Sequence, residues 1–215
     1  MKKMKIIYED KYVIAVDKPS GKLSVSTDKE KERTMFHEVL EYLKKKNKNN
    51  KVFIVHRLDK DTSGIMIFAK DIKTKNFLQD NWDKFVRKYV AIVEGVLLND
   101  SGEVRSYLKE TKSLITYSTS DKSGKLAITK YKKIKCNKLY SMVEINILTG
   151  RKNQIRVHMK DIGNSIKGDK KYGAKMDPIK RLGLCANKLS FMHPITKKYI
   201  DLEISIPKEF ESLFN

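Results

Sequence analysis

Residues 55–70 read VHRLDKDTSGIMIFAK, and the architecture of the chain turns on how this stretch is parsed. VFIV ahead of the charges and IMIFA after them read as short apolar strands. Between them Asp61-Thr62-Ser63-Gly64 supplies turn chemistry, because Asp and Ser bond their own backbone and Gly accepts positive φ. Asp61 is therefore expected to spend its side chain in that turn. The cluster His56, Arg57, Asp59 is not needed for turning. Asp59 stands where an apolar strand gives way to a loop, and an unpaired carboxylate is costly there. Arg57, two residues away, is one candidate partner, and Arg156 from a later helix is another. A carboxylate held ionised in this way can act as a nucleophile or an electrostatic stabiliser, or it can simply pin the loop. Magnesium binding by Asp59 and Asp61 is the weaker reading, since no further acidic cluster follows.

Working outward, MKIIYE, YVIAVDKPSG and KLSVS read as early strands punctuated by Pro and Gly. Residues 34–45 place Met35, Phe36, Val39, Leu40 and Leu43 at helical spacing behind Thr34 as N-cap. Asp71 is positioned to cap a second helix running through FLQDNWDKF, with Phe77, Leu78, Trp82 and Phe85 as its apolar stripe. Then KYVAIVEGVL, EVRSYLKE, LITYSTS, LAITKYKKIKC and LYSMVEINIL follow as strands with short turns, which favours antiparallel pairing. RKNQIRVHMKDIG reads as a helix starting just after Gly150, and SFMHPITKKYIDLEISIP as a closing hairpin with Pro in its turn. The expected fold is α+β: a mixed, mainly antiparallel central sheet with flanking helices and loops. No repeat or linker interrupts residues 1–215, so a single domain is expected.

The 215 residues suffice to bury roughly 70% of the unfolded surface without staples. Lys plus Arg number 46 against 26 Asp plus Glu, a net +20. That surplus points to a polyanionic partner, with nucleic acid favoured. No apolar run reaches the ~20 residues of a membrane span, and acids interrupt the N-terminal apolar residues, so a cytoplasmic protein without a membrane partner is expected. Cys136 and Cys185 lie far from any histidine in a ligand-like spacing and read as two buried thiols in a reducing compartment, with neither zinc nor a disulfide.

Only seven of the 46 basic residues are arginine. A chain that otherwise uses lysine keeps arginine where its flat five-donor fork matters, and Arg57, Arg151 and Arg156 fall inside the motifs VHRLD and GRKNQIRVH. His56 and His158 read, taken singly, as half-buried histidines bonded to backbone, and Tyr89 as a strand aromatic. GDKKYGAK at 168–175 fails as a phosphate loop, because its second Gly is not followed by Lys and Ser or Thr.

DKPSGKLSV, VHRLDKDTSGIMIFAK, RKYVAIVEG, LTGRKNQIRVHMKDIGNSIKGDKKYG and FMHP together resemble, in order and spacing, the RluA-type pseudouridine synthases over nearly the whole chain. The resemblance implies the pseudouridine synthase fold and isomerisation of uridine to pseudouridine in structured RNA, rRNA or tRNA, with no cofactor or metal. It implies Asp59 as catalytic aspartate, Tyr89 as active-site tyrosine, and Arg156 as basic partner of the aspartate. Arg57 is expected to hold open the space left by a flipped nucleotide, and His56, Arg151, Asn153 and Gln154 are expected to contact RNA. Asn153 and Cys185 stand where many relatives carry His. Many relatives also carry an N-terminal S4-type RNA-binding domain, whereas here the catalytic pattern starts within ten residues, so RNA affinity is expected from the catalytic domain's own charge. No obligatory protein partner is expected. The rival reading is a non-catalytic RNA-binding or RNA-folding protein on the same fold.

Overall fold

A computed structural model describes residues 4–28, 30–175 and 177–214. Along the chain the strands are β1 (Lys5–Glu9), β2 (Val13–Lys18), β3 (Phe53–Ile54), β4 (Ser63–Ala69), β5 (Val86–Glu94), β6 (Ser101–Glu110), β7 (Thr116–Thr119), β8 (Lys125–Cys136), β9 (Tyr140–Ile147), β10 (Leu184–Met192) and β11 (Tyr199–Glu203). The helices are α1 (Met35–Lys46), α2 (Ile72–Asp80), α3 (Gln154–Asp161) and α4 (Lys208–Glu211). Contacts divide them between two units: residues up to Phe85 with Ala186–Ile204, and Val86–Cys185 with the residues from Ser205 onward.

In the first unit β4 is buried along its whole length, which is why it reads as a continuous apolar run rather than an alternating one. It pairs antiparallel with β2, Val13 opposite Ala69 and Lys18 opposite Gly64. β1 continues the sheet beyond β2, β3 adds to the far end of β4, and β10 and β11 form the closing hairpin. Ile65, Met66, Ile67 and Phe68 are each at most 2% exposed, and such side chains contribute about 1.5–3 kcal/mol apiece. Gly64 makes this possible. Its φ is +119°, and a Cβ there would stand 2.2 Å from the Ala186 carbonyl oxygen. α1 begins as its sequence dictates: Thr34 accepts from the His37 N–H, and Met35, Val39 and Leu43 turn inward. Asp71 caps α2 by accepting from the Thr74 N–H and hydroxyl.

The second unit orders its strands β5-β9-β8-β6-β7, every neighbouring pair antiparallel. α3 packs Ile155 and Met159 against Ala91, Val93, Val143, Ile145 and Ile147 of the sheet. Gln154 fixes its start, accepting from the Thr149 hydroxyl and the Arg151 N–H while donating to Ile128 O and Thr129 Oγ1.

Several expectations are corrected by the backbone. The VFIV strand shrinks to the two residues of β3, because Val55 to Asp59 leave the sheet as a loop. α2 ends at Asp80, and Trp82–Lys84 form a separate 3-10 turn, so Trp82 and Phe85 lie outside the helix. α3 starts three residues later than Gly150 suggests, because Asn153 adopts φ +54°. The turn before β4 is closed by the Asp59 carbonyl accepting from the Thr62 N–H, with strand already begun at Ser63, and the Asp61 side chain is not its fastener. Cys185 is buried as expected, but Cys136 is exposed at the end of β8. Among the described residues no helix is long and apolar enough to cross a membrane.

Candidate active site

Asp59 is half-buried on the loop that leads into β4, and the main chain around it is gripped by one short segment, residues 18–24. Ser24 Oγ donates to the Leu58 carbonyl (2.6 Å) and accepts from the Leu58 N–H (3.1 Å). Lys18, with no exposed surface, donates to the carbonyls of Lys60 (2.9 Å), Lys22 (2.6 Å) and Pro19 (3.1 Å). Ser20 Oγ donates to the Asp61 carbonyl at 2.6 Å. With the Thr62 N–H on the Asp59 carbonyl, four consecutive peptides are held. A buried ammonium on three carbonyls satisfies all three of its donors, the condition under which such a charge is tolerated.

The residues just before Asp59 are held from the other side. Gln79 of α2 donates to the carbonyls of Ile54 and Val55. His56 Nε2 accepts from the Ile67 N–H at 3.1 Å, which places the proton of the neutral ring on Nδ1, and the ring stacks on Trp82 with centroids 4.2 Å apart. Trp82 meets Phe85 edge-on, and Phe85 meets Phe191. Arg57 is exposed.

In the second unit Arg156 is clamped. Its Nε and Nη2 donate to the two oxygens of Asp169, both at 2.7 Å, and Nη1 donates to Asn153 Oδ1 at 3.0 Å. These bonds occupy three of five N–H donors, and the guanidinium lies 4.9 Å above the Tyr172 ring. Asp169 has no exposed side-chain surface, and Arg156 has 12%. The turn that delivers Asp169 needs Gly168, whose φ is +75° and whose Cβ would strike the Arg181 carbonyl oxygen. Asn153 is buried and left-handed, a conformation Asn adopts more readily than most residues, and its amide also reaches Thr116 Oγ1 at 3.5 Å. Tyr89 projects from β5 onto the apolar cluster under α3, where Tyr131 and Ile162 also pack. Arg151 is exposed and donates Nε to the Leu126 carbonyl. His158 bonds the hydroxyls of Ser106 and Thr129 rather than backbone, and burial pushes its pKa down despite the nearby Asp161.

The structure thus brings Arg156 and Asn153 together around Asp169, and turns Gln154 wholly inward. It sets His56 beside Trp82, a packing partner the apolar-stripe reading had assigned to helix. Four participants escape the residue-by-residue reading. Lys18, Ser20 and Ser24 sit in DKPSGKLSV, which spacing alone marks only as turn and strand. Asp169 sits in GDKKYGAK, which residue by residue reads only as a failed phosphate loop, and the signal for it is a single acid behind a glycine among lysines. Among the described residues no three His, Cys, Asp or Glu side chains gather as a metal-binding group.

The fold has a solved structural counterpart. A solved human protein, RNA Pseudouridylate Synthase Domain Containing 4, superposes with a TM-score of 0.81 over 96% of this chain and 90% of its own, at 22% identity. That likeness defines the class of fold. Residues 12–161 match the RNA pseudouridylate synthase family. Among curated relatives, an RNA pseudouridine synthase of Bacillus subtilis, YhcT, is 32% identical over 97% of this chain and 70% of its own. Ribosomal large subunit pseudouridine synthase C of Rickettsia bellii is 37% identical over 95% and 69%, and tRNA pseudouridine synthase C of Haemophilus influenzae 32% identical over 99% and 97%. The chain belongs to the RNA pseudouridylate synthase family, in its RluA-type branch, and is an enzyme that isomerises uridine in RNA.

Proposed function

We propose that this enzyme modifies specific uridines of a structured RNA, ribosomal or transfer, with Asp59 as nucleophile and without a cofactor. The reaction is redox-neutral. The N1–C1′ glycosidic bond breaks, C5 bonds to C1′, C5 gives up its proton and N1 gains one, so no external electrons are required. A stacked uridine cannot undergo this rotation, and its extrusion costs a few kcal/mol that pocket contacts offset. Asp59 supplies the carboxylate for the cleavage step. Tyr89 offers a flat face to the uracil and a hydroxyl for proton transfer. Arg156, oriented by Asp169 and Asn153, is the cation that stabilises negative charge as the bond breaks. Arg57 and Arg151, both exposed, are the RNA contacts, and His56 positions the loop through its stack on Trp82. Asn153 and Gln154 serve the RNA site indirectly, by shaping the start of α3. The protein acts in the cytoplasm, and needs no obligatory protein partner.

The observation that carries this reading is the bracing of the Asp59 loop: the carbonyls of Leu58, Lys60 and Asp61 are each held by a side chain from residues 18–24. A reacting carboxylate has to be held in its productive geometry, and misplacement of about 1 Å can cost 100-fold in rate. The relatives are named for large-subunit rRNA and for tRNA, so both substrates are carried forward. Pseudouridine mapping of total RNA from cells lacking the protein, and from the same cells given wild type or Asp59→Ala, tests it. A site restored by wild type alone identifies reaction and target together. RNA binding with no such site in any RNA would favour the non-catalytic reading.

A further inference from the structure

We propose that the first unit carries a second RNA-backbone surface, at the end of its sheet opposite the Asp59 loop; this rests on the RNA-modifying function above. β4 runs from Ser63, near that loop, to Ala69, and seven strand residues span about 20 Å. At the Ala69 end several elements converge. The β1–β2 turn is there, through the Lys70 N–H on the Tyr12 carbonyl, and so is the start of β3, with Phe53 opposite Ala69. The turn of the closing hairpin joins them, because His193 Nε2 lies 2.7 Å from Asp10 Oδ2.

Lysines gather at this end with their charges uncompensated. Lys44 and Lys45 in the last turn of α1 and Lys48 and Lys51 between α1 and β3 are all exposed, and no acid occurs between Glu41 and Asp59. Lys11 and Lys197 flank them from the two turns, Lys197 standing 4.0 Å over the Phe77 ring. Glu41, one turn before Lys44 and Lys45 in α1, makes no ion pair with either, and Glu9, Asp10 and Asp71 are spent internally. Glu9 pairs with Lys70 and Lys46, Asp10 accepts from Tyr8, Tyr12, Val13 and His193, and Asp71 caps α2. Lysines elsewhere often face a carboxylate, as Lys88 faces Glu144 and Lys188 faces Glu203, whereas none of these six does among the described residues. Flexible ammonium groups without a built pocket suit phosphates of a nucleic-acid backbone, read by charge rather than sequence. At about 20 Å, roughly two and a half Debye lengths at physiological salt, they do not act electrostatically on the Asp59 loop, so an RNA must extend along the unit to reach them. The partner is therefore a helical segment continuous with the target loop.

The test compares wild type with a Lys44→Gln, Lys45→Gln, Lys48→Gln, Lys51→Gln variant, chosen because these side chains hold no fold contacts and its melting temperature can be checked. The probes are two transcribed hairpins with the same uridine-containing loop, one with a stem of roughly 20 base pairs and one of roughly 5. The expected result is binding to the long hairpin weakened at least about tenfold, a salt slope of log K reduced by about 2–3, and an unchanged affinity for the short one. Equal weakening on both hairpins, or none on either, overturns the proposal. So does a lysine-dependent affinity confined to phosphatidylserine vesicles. Product formation, read separately on RNA from cells lacking the protein, keeps the two ideas apart. Lysine-dependent binding without product defeats the catalytic reading alone, and product with lysine-independent binding defeats this surface alone.

Discussion

Replacing Asp169 by alanine should be among the most damaging single changes to the second unit. The Asp169 side chain has no exposed surface and accepts both Nε and Nη2 of Arg156 at 2.7 Å, so its loss strands a guanidinium that is only 12% exposed. Breaking one side of such a buried pair costs about 3–5 kcal/mol, mostly the penalty of the charge left behind. At roughly 2–4 °C per kcal/mol for a chain of this size, the melting temperature should fall by about 6–20 °C. The guanidinium would lose both of its bonds to the Asp169 carboxylate, so pseudouridine formation at a permissive temperature should fall as well. Because the cost is a stranded charge, Arg156→Met combined with Asp169→Leu should recover more than half of the lost stability while remaining inactive. Thermal unfolding of the three variants, with product formation on RNA from deficient cells, is the assay. A melting temperature for Asp169→Ala within about 2 °C of wild type would refute the clamp, and a double variant no more stable than the single would refute its electrostatic origin.

Lys18→Met should leave the carbonyls of Pro19, Lys22 and Lys60 without their donor, at about 1–3 kcal/mol for each buried group left unsatisfied, and should lower product formation at temperatures where the protein is still folded. A folded variant of wild-type activity would show that the grip on the Asp59 loop is dispensable. The acid limb of stability should depend on Glu9. Partial burial pushes its carboxyl up, but hydrogen bonds from Lys70, Tyr42 and Lys46 prevail and hold it at about 2 against an ordinary 4.5. A folded pKa below the unfolded one stabilises fully above pH 4.5, by up to about 3 kcal/mol, and that contribution disappears as pH falls towards 2. Asp10, lowered against its own burial by the Val13, Tyr8, Tyr12 and His193 bonds, adds to the same limb. Glu9→Gln should therefore melt lower at neutral pH and lose less on acidification; parallel curves for the two proteins would contradict this.

Where local chemistry dictates structure, the sequence was a good guide. Thr34 and Asp71 cap the helices they were expected to cap, and the strands from β5 to β9 fall within a few residues of their apolar runs. The closing hairpin turns at Pro194 as its punctuation implied. The misses have a common cause, which is tertiary geometry. Nothing local says that Asn153 takes a left-handed conformation and delays α3, or that Trp82 leaves the helical stripe to stack on His56. Asp59 was conspicuous because no turn needed it. Its supports were not, since Lys18, Ser20 and Ser24 lie some 40 positions upstream and act on backbone carbonyls, contacts that leave no trace in periodicity. The arginine count draws attention to Arg156, yet its carboxylate partner within the unit, Asp169, lies 13 positions further on and meets it only in the folded chain.

The most direct test of the account is Asp59→Asn in purified form. Asparagine keeps the side chain's size and leaves the main-chain bonds of Leu58, Asp59, Lys60 and Asp61 in place. Wild type and variant are each incubated with RNA from cells lacking the protein, and pseudouridine is read by chemical labelling while RNA affinity is measured in parallel. The account predicts product from wild type only, with the two affinities within about threefold of each other, which is less than about 0.7 kcal/mol. Pseudouridine formed by Asp59→Asn at the wild-type site and a comparable rate would remove the carboxylate from the chemistry and contradict the account at its centre.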